Sequence, residues 1–150
     1  MCVTAKEVTM KVKYALVAVA ALALTACGGG AGGDPQALIG GSYVVTSITV
    51  DGRQVAVIDP VTISFAADSI AVDTPCNDMG GSITYTDTRL EVGPLASTRM
   101  GCEPALMEQD QVIAAALSAN PTWQVADGSL TLTGEGTTIV ADSAADGAQP

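Results

Sequence analysis

The chain has 150 residues and a mass of 15.0 kDa, which leaves room for one domain with short extensions but not for two. Sixteen acidic residues against six basic ones give a formal net charge of −10, and a surface of that sign repels phosphate backbones, so we exclude nucleic acids as partners. Histidine is absent and no lysine follows Lys13, so a Ser-His-Asp triad, a Cys-His pair or a Ser-Lys dyad cannot form in the folded part. We therefore predict a protein that is not an enzyme and uses no cofactor.

Residues 1–26 have the features of a bacterial lipoprotein signal peptide. Lys11 and Lys13 precede an apolar stretch over residues 14–24, which is shorter than the roughly 20 residues that span a bilayer. The sequence LTAC at residues 24–27 resembles a lipobox, so we predict cleavage before Cys27 and lipidation of that cysteine. The alternative is an ordinary secretory signal that ends near a cysteine. Met10 is an alternative start of the chain.

Removal of the signal peptide changes the net charge of the protein and leaves it outside the cytoplasm with a lipid anchor. Three arginines then face fifteen acidic residues, a balance that suits solubility outside the cell and is compatible with cationic partners. Several acyl chains on Cys27, at about 0.8 kcal/mol per buried methylene, make a stable membrane anchor. Residues 27–37 are rich in glycine and predict a flexible tether. We expect an extracytoplasmic protein, lipid-anchored to the bacterial cell membrane or outer membrane.

From residue 38 to residue 141 the sequence predicts one domain made mostly of strands. Apolar and polar residues alternate with a period of two over short β-branched runs, which indicates half-buried strands. In the first run this alternation puts Val44 and Ile48 on one face and Val45 on the other. Asp-Gly pairs at 51–52 and 127–128 favour tight hairpins, because they accept positive φ angles.

One segment departs from this alternation and predicts a helix over residues 104–119. Pro104 suits the first helical position, Leu106, Ile113 and Leu117 share one face, and the Asn-Pro pair at 120–121 ends the helix. Residues 142–150 are small and polar and predict a disordered tail. The predicted fold is mainly β, a β-rich α+β class: a curled antiparallel sheet or small barrel of about eight short strands with one packed helix.

Three stretches carry the most distinctive residues of the chain. They are CNDMGGSITY at 76–85, LASTRMGC at 95–102 and the following helix with Glu108. Together they resemble the META/HslJ-type domain, although that family usually opens on Gly-x-Trp and this chain has Gly-Ser-Tyr at 41–43. The resemblance implies the same β-rich fold and a small domain of a bacterial envelope lipoprotein. Members are linked with heat-shock response, drug tolerance, and motility or secretion traits.

Cys76 and Cys102 remain as the only cysteines after Cys27. Two thiols in one small extracytoplasmic domain predict a disulfide, and closing a loop of about 26 residues stabilises by roughly 3–4 kcal/mol. A redox or catalytic role is disfavoured, because no histidine can pair with a thiolate and the spacing is not Cys-x-x-Cys. Two thiols without imidazole also argue against a metal site.

Asn77, Arg99 and Trp123 are the candidate binding residues. Asn77 lies in a polar, glycine-rich loop that forms either a ligand-contacting rim or a tight turn with left-handed backbone. Arg99 either holds an anionic ligand or pairs with a carboxylate of Glu91, Asp78 or Glu103. Trp123, like Tyr43, either lines a pocket or fills the core.

Three functions fit these observations. The preferred hypothesis is a non-enzymatic, membrane-anchored envelope lipoprotein that supports envelope integrity or stress tolerance by contacting an unknown envelope protein. The second is a binding module, a small barrel that holds a small ligand with Arg99 and Trp123, although Phe65, Ile83, Leu130 and Leu132 predict an interior filled by side chains. The third, a hydrolase that uses carboxylates alone, is the weakest, because the acids are scattered through turns.

Overall fold

A computed structural model describes residues 33–144, which form ten strands and one α-helix. The strands are β1 (Ser42–Val50), β2 (Arg53–Val55), β3 (Thr62–Phe65), β4 (Ser69–Asp73), β5 (Asp78–Tyr85), β6 (Leu90–Val92), β7 (Ala96–Ser97), β8 (Thr122–Ala126), β9 (Ser129–Gly134) and β10 (Thr137–Ser143). The helix is α1 (Pro104–Ser118), and a short 3-10 turn covers Pro35–Ala37. No helix of this described range has the length and apolarity that crossing a membrane requires.

The strands form one antiparallel sheet that nearly closes on itself. Their order is β6-β5-β4-β3-β1-β10-β9-β8, with β2 added to β1 and β7 added to β5. The two ends meet where Arg89 bridges Thr122 and where the Leu90 amide donates to the Pro121 carbonyl oxygen at 3.0 Å. This closure satisfies backbone groups that an open sheet would leave exposed at its edges. The predicted curled sheet or small barrel is confirmed, with two short strands beyond the expected eight.

Apolar side chains fill the interior of this barrel. The four residues predicted to point inward are buried: Phe65, Ile83, Leu130 and Leu132. They belong to one continuous core that also holds Trp123. Each fully buried side chain of this size stabilises the fold by about 1.5–3 kcal/mol.

Strand β1 contains a β-bulge that the sequence pattern did not reveal. The register on β10 shifts between Val45 and Ser47, so Thr46 is an extra residue. Val45 and Ile48 are consequently both buried, and the prediction that they lie on opposite faces is wrong. One inserted residue reverses the alternation from that point on. Thr46 is β-branched and exposed, so it continues the strand pattern without marking the shift.

The predicted turns and helix are confirmed. Asp51 and Gly52 have φ angles of 49° and 77°, and Asp127 and Gly128 have 51° and 80°, the positive values that two-residue hairpins need. Helix α1 begins at Pro104 as predicted and ends one residue earlier than expected. It packs against β6, β9 and β10.

The folded part extends past both predicted boundaries, 38 and 141. The Gly33 amide donates to the Asp87 carbonyl oxygen at 3.0 Å, so the end of the expected tether already belongs to the fold. Strand β10 continues to Ser143, and the Ala144 amide donates to the Ser42 carbonyl oxygen at 2.8 Å, so the start of the expected tail is paired. The predicted signal peptide, Cys27 and residues 145–150 lie outside the described residues.

Candidate functional site

The disulfide predicted from the sequence joins Cys76 and Cys102, whose Cα atoms lie 5.9 Å apart. Cys76 lies in the connection between β4 and β5, and Cys102 lies just before α1. The bond therefore links the β4–β5 connection at one end of the barrel to the segment that leads into helix α1. It closes a loop of 26 residues, which stabilises the fold by roughly 3–4 kcal/mol.

The Asn77 side chain connects three segments beside this disulfide. Its Nδ2 donates to Asp110 Oδ2 at 2.9 Å and also contacts Cys76 Sγ at 3.0 Å. Its Oδ1 accepts from Thr98 Oγ1 at 3.1 Å and from the Met100 amide at 2.9 Å. Asn77 thus holds the 98–100 segment and helix α1 in place. Its amide group is fully used in hydrogen bonds inside the protein, so its main role is to position the neighbouring segments.

The neighbouring glycines are explained by packing. One of the two interpretations of the glycine-rich loop was a tight turn in which its glycines supply left-handed backbone, but Gly80 and Gly81 lie in β5 and neither has a positive φ. A Cβ on Gly81 would lie 2.9 Å from the Pro94 carbonyl oxygen and 3.2 Å from Leu95 Cδ2. The expected left-handed turn is therefore wrong, and at Gly81 the close approach of residues 94–95 to β5 requires glycine.

A surface groove of about 400 Å³ lies next to the disulfide. We call it the methionine groove; the side chains that define it are Met79 from β5, Arg99 and Met100 from the 98–101 segment, and Met107 and Asp110 from α1. All three methionines that follow Cys27 line it. Met100 is 64% exposed and Met107 is 37% exposed, so two of the largest exposed apolar side chains in the described range meet here. Clusters of exposed apolar side chains are a common feature of interaction sites, which makes this groove the candidate site.

Asp110 forms the polar part of the methionine groove. It is only 7% exposed, and while its Oδ2 accepts from Asn77, its Oδ1 is buried without a hydrogen-bond partner. The preceding Gln109 is also buried; its Oε1 accepts from the Ile58 amide at 2.8 Å, and its Nε2 has no partner. Buried polar atoms without partners are uncommon and destabilise a fold by about 1–3 kcal/mol each. The two residues are neighbours in α1, and of the two only Asp110 lines the groove.

The structure separates the candidate binding residues that the sequence grouped together. Arg99 is exposed at the edge of the methionine groove, and among residues 33–144 it forms no salt bridge with the carboxylates expected as its partners. Trp123 lies in the core instead, 1% exposed, with its indole Nε1 donating to the Thr86 carbonyl oxygen at 2.9 Å. Arg99 and Trp123 therefore do not share a site.

Tyr43 is likewise a core residue. Its hydroxyl donates to the Ala37 carbonyl oxygen at 3.2 Å, and its ring packs edge-on against Phe65. Burial raises the pKa of Tyr43 above its ordinary value. The pKa of Tyr85 is raised too, by burial and by the nearby Asp68 carboxylate. Both phenols therefore stay neutral at physiological pH.

Sequence reasoning missed most of the groove. It named Asn77 and Arg99, but Met79, Met107 and Asp110 were not singled out. The methionines offered a signal, since all of those after Cys27 fall within residues 79–107. Asp110 offered none, because a polar residue in a helix is normally exposed, as its neighbour Glu108 is here.

A second groove, of about 510 Å³, runs along the seam where the sheet closes. Two of its polar side chains are engaged in the seam itself: Arg89 Nη1 donates to the Asn120 carbonyl oxygen at 2.9 Å, and Asn120 Oδ1 accepts from the Val92 amide at 2.9 Å. We therefore assign this groove to closure of the barrel. Within the described range, no three residues of the His, Cys, Asp and Glu types are grouped closely enough to hold a metal ion.

Comparisons with known proteins agree with this architecture. No curated protein matches the chain. An NMR structure of a protein from Burkholderia xenovorans is similar with a TM-score of 0.62 and 24% identity, covering 73% of this chain and 86% of that one. A second NMR structure is similar with a TM-score of 0.59 and 28% identity, covering 72% of this chain and 92% of that one. The family model of the META domain matches residues 36–146. The chain therefore belongs to the META domain family.

Proposed function

We propose that this protein is a membrane-anchored lipoprotein of the bacterial envelope whose META domain acts by binding and not by catalysis, and thereby supports envelope integrity or stress tolerance. The observation that carries the proposal is the methionine groove. Residues of all three family stretches build it, and it presents exposed Met100 and Met107 beside a rigid disulfide. Methionine side chains are flexible and polarizable, which suits a surface that contacts a partner.

The lipobox and the tether support the anchoring part of the proposal. Gly33, which pairs with Asp87 in the fold, lies six positions after Cys27. Six residues reach at most about 20 Å when fully extended. A lipid on Cys27 would therefore hold the domain close to the bilayer, so its partner would lie at or near the membrane surface. The acidic surface left after cleavage favours partners with positive charge.

A deletion strain tests the proposal. We expect the deletion to raise dye uptake through the envelope and to lower survival after heat or drug stress. The wild-type gene should restore both, whereas Cys27→Ser, which removes the lipid attachment, should not. Labelled palmitate should enter the wild-type protein and not the Cys27→Ser variant.

A groove variant tests the binding part separately. Met100→Asp/Met107→Asp places two charges on the apolar wall and should fail to complement, although the protein is exported and anchored at the normal level. Ile58→Asp is the matched control, since Ile58 is 47% exposed but does not line the groove. Full complementation by the double variant would refute a role for the groove.

A small-molecule-binding module is the second candidate, supported by the size of the same groove. A volume of about 400 Å³ falls within the range of small-ligand sites. Because side chains fill the barrel, the ligand would bind outside it, at the methionine groove and not with Trp123. A native mass spectrum of the purified protein tests this, since a retained small molecule appears as an added mass.

A further inference from the structure

The methionine groove combines two opposite charges with an apolar wall. Among the described side chains that line it, Asp110 is the one carboxylate and Arg99 the one guanidinium. Asp110 Oδ1 lacks a partner, while Asn77 holds its Oδ2 at 2.9 Å. The carboxylate is therefore fixed in position with one acceptor oxygen unused.

The chemistry of these groups defines a complementary ligand. An unused carboxylate oxygen pairs best with a charged N–H donor such as an ammonium group, and a guanidinium pairs best with a carboxylate. The methionine walls suit an aliphatic side chain, whose shape they can follow. We propose that the methionine groove binds a free α-amino acid with an apolar side chain, its ammonium group on Asp110 and its carboxylate on Arg99. This rests on the proposed function, in which the domain acts by binding.

The groove accommodates such a ligand after a local rearrangement. Its volume of about 400 Å³ is at the lower end of small-ligand sites, which suits a molecule as small as an amino acid. Asp110 Oδ1 is buried, so side chains must move before an ammonium group reaches it. Met100 and Met107 are exposed and unbranched, and they can move aside without disturbing the core.

The proposal is tested on the full-length protein, processed by the cell and purified in detergent. Three small molecules of similar shape serve as probes. They are L-leucine, 3-methylbutylamine, which lacks the carboxylate, and 4-methylpentanoate, which lacks the ammonium group. In isothermal titration calorimetry we expect leucine to bind at least about tenfold more tightly than either analogue, because each analogue loses one charge-assisted interaction. Equal affinity of leucine and the amine would overturn the proposal in favour of a simple cation site. No heat with any probe at about 10 mM would also overturn it.

Two variants assign each charge to its end of the ligand. Asp110→Asn keeps an acceptor for Asn77. It should lower the affinity for leucine and for the amine about tenfold and leave the affinity for the acid unchanged. Arg99→Gln should lower the affinity for leucine and for the acid and leave the affinity for the amine unchanged. Arg99 is exposed, so this variant tests the proposal even if Asp110→Asn fails to fold.

Matched controls separate the groove from the overall charge. Glu108→Gln and Arg53→Gln remove exposed charges outside the groove and should not change leucine affinity. If Glu108→Gln weakens leucine binding as much as Asp110→Asn does, the effect comes from net charge and the proposed site is wrong.

The deletion strain distinguishes failure of this inference from failure of the proposed function. If calorimetry shows no binding and the Arg99→Gln variant complements the deletion fully, the proposed ligand is wrong and the envelope function stands. If leucine binds as expected but the deletion has no phenotype, the envelope function fails and the amino-acid site stands.

Discussion

The barrel interior and the methionine groove are built on opposite principles. Inside the barrel, apolar side chains pack against each other and the polar atom of Trp123 has a partner. Beside the disulfide, Met100 and Met107 are exposed, and in helix α1 two buried polar atoms, Gln109 Nε2 and Asp110 Oδ1, have no hydrogen-bond partner. Among the buried side-chain polar atoms of residues 33–144, these two are the ones without a partner, and the stability that they cost is typical of functional sites. The contrast supports the proposal that this protein binds its partner at the methionine groove, outside the barrel.

The largest effect should come from the barrel side of this comparison. Trp123→Ala removes the largest fully buried side chain and should lower the free energy of unfolding by about 3–5 kcal/mol. Met107→Ala, at the groove, should lower it by less than about 1 kcal/mol because the side chain is already partly in water. Urea denaturation followed by circular dichroism measures both. Similar losses for the two variants would erase the distinction between core and groove.

The disulfide should have the next largest effect. Cys76→Ser/Cys102→Ser should lower the free energy of unfolding by roughly 3–4 kcal/mol, since the unfolded chain regains the freedom of a 26-residue loop. The wild-type protein measured with and without a reducing agent provides the control, because reduction should reproduce the loss seen in the variant. A variant as stable as the oxidised protein would show that helix packing and the Asn77 hydrogen bonds suffice to stabilise this end of the barrel.

Asn77 should contribute through the carboxylate that it holds. Asn77→Ala removes its side-chain hydrogen bonds to Thr98, Met100 and Asp110 and leaves the Asp110 carboxylate without a partner, which should destabilise the fold by about 2–3 kcal/mol. Asn77→Ala/Asp110→Ala should lose less than the sum of the single variants, because it removes the stranded carboxylate as well. Additive losses in this double-mutant cycle, measured by urea denaturation, would contradict direct coupling.

The smallest effect should come from pH. Burial raises the pKa of Tyr43 above its ordinary value of 10.0, so the fold favours the neutral phenol. That stability is fully present below pH 10 and is lost as the pH rises through the folded-state pKa. We expect the free energy of unfolding to fall above about pH 10 and to fall less in Tyr43→Phe, with the rest due to Tyr85. Urea denaturation across the alkaline range measures this, and an identical fall in Tyr43→Phe would contradict it.

Local patterns in the sequence predicted most of the fold. Alternating residues predicted the strands, Asp-Gly pairs predicted the hairpins with positive φ, and Pro104 predicted the start of α1. Each is a short-range property, set by the pleat of a strand or by the allowed φ of a few residues. The bulge at Thr46 could not be predicted, because an extra residue in a strand is defined only by its partner strand.

The site was predictable only in part, for the same reason. Arg99 and the disulfide lay in stretches of distinctive sequence, and both are beside the groove. Trp123 was assigned to a possible site on residue type alone, and burial decided otherwise. Asp110 could be recognised as a site residue only from the tertiary structure, because it lies 33 positions after Asn77 in the chain and is brought to the disulfide by its hydrogen bond with Asn77.

The sequence by itself determined the class of fold, the cysteine pair and the absence of histidine, since these follow from residue identity and short-range geometry. The tertiary structure alone decided that the barrel is filled, that Trp123 belongs to its core, and that Met79, Met100, Met107 and Asp110 meet at one surface. Such meetings depend on how distant segments pack, because a side chain's burial and partners come from residues far away in the chain.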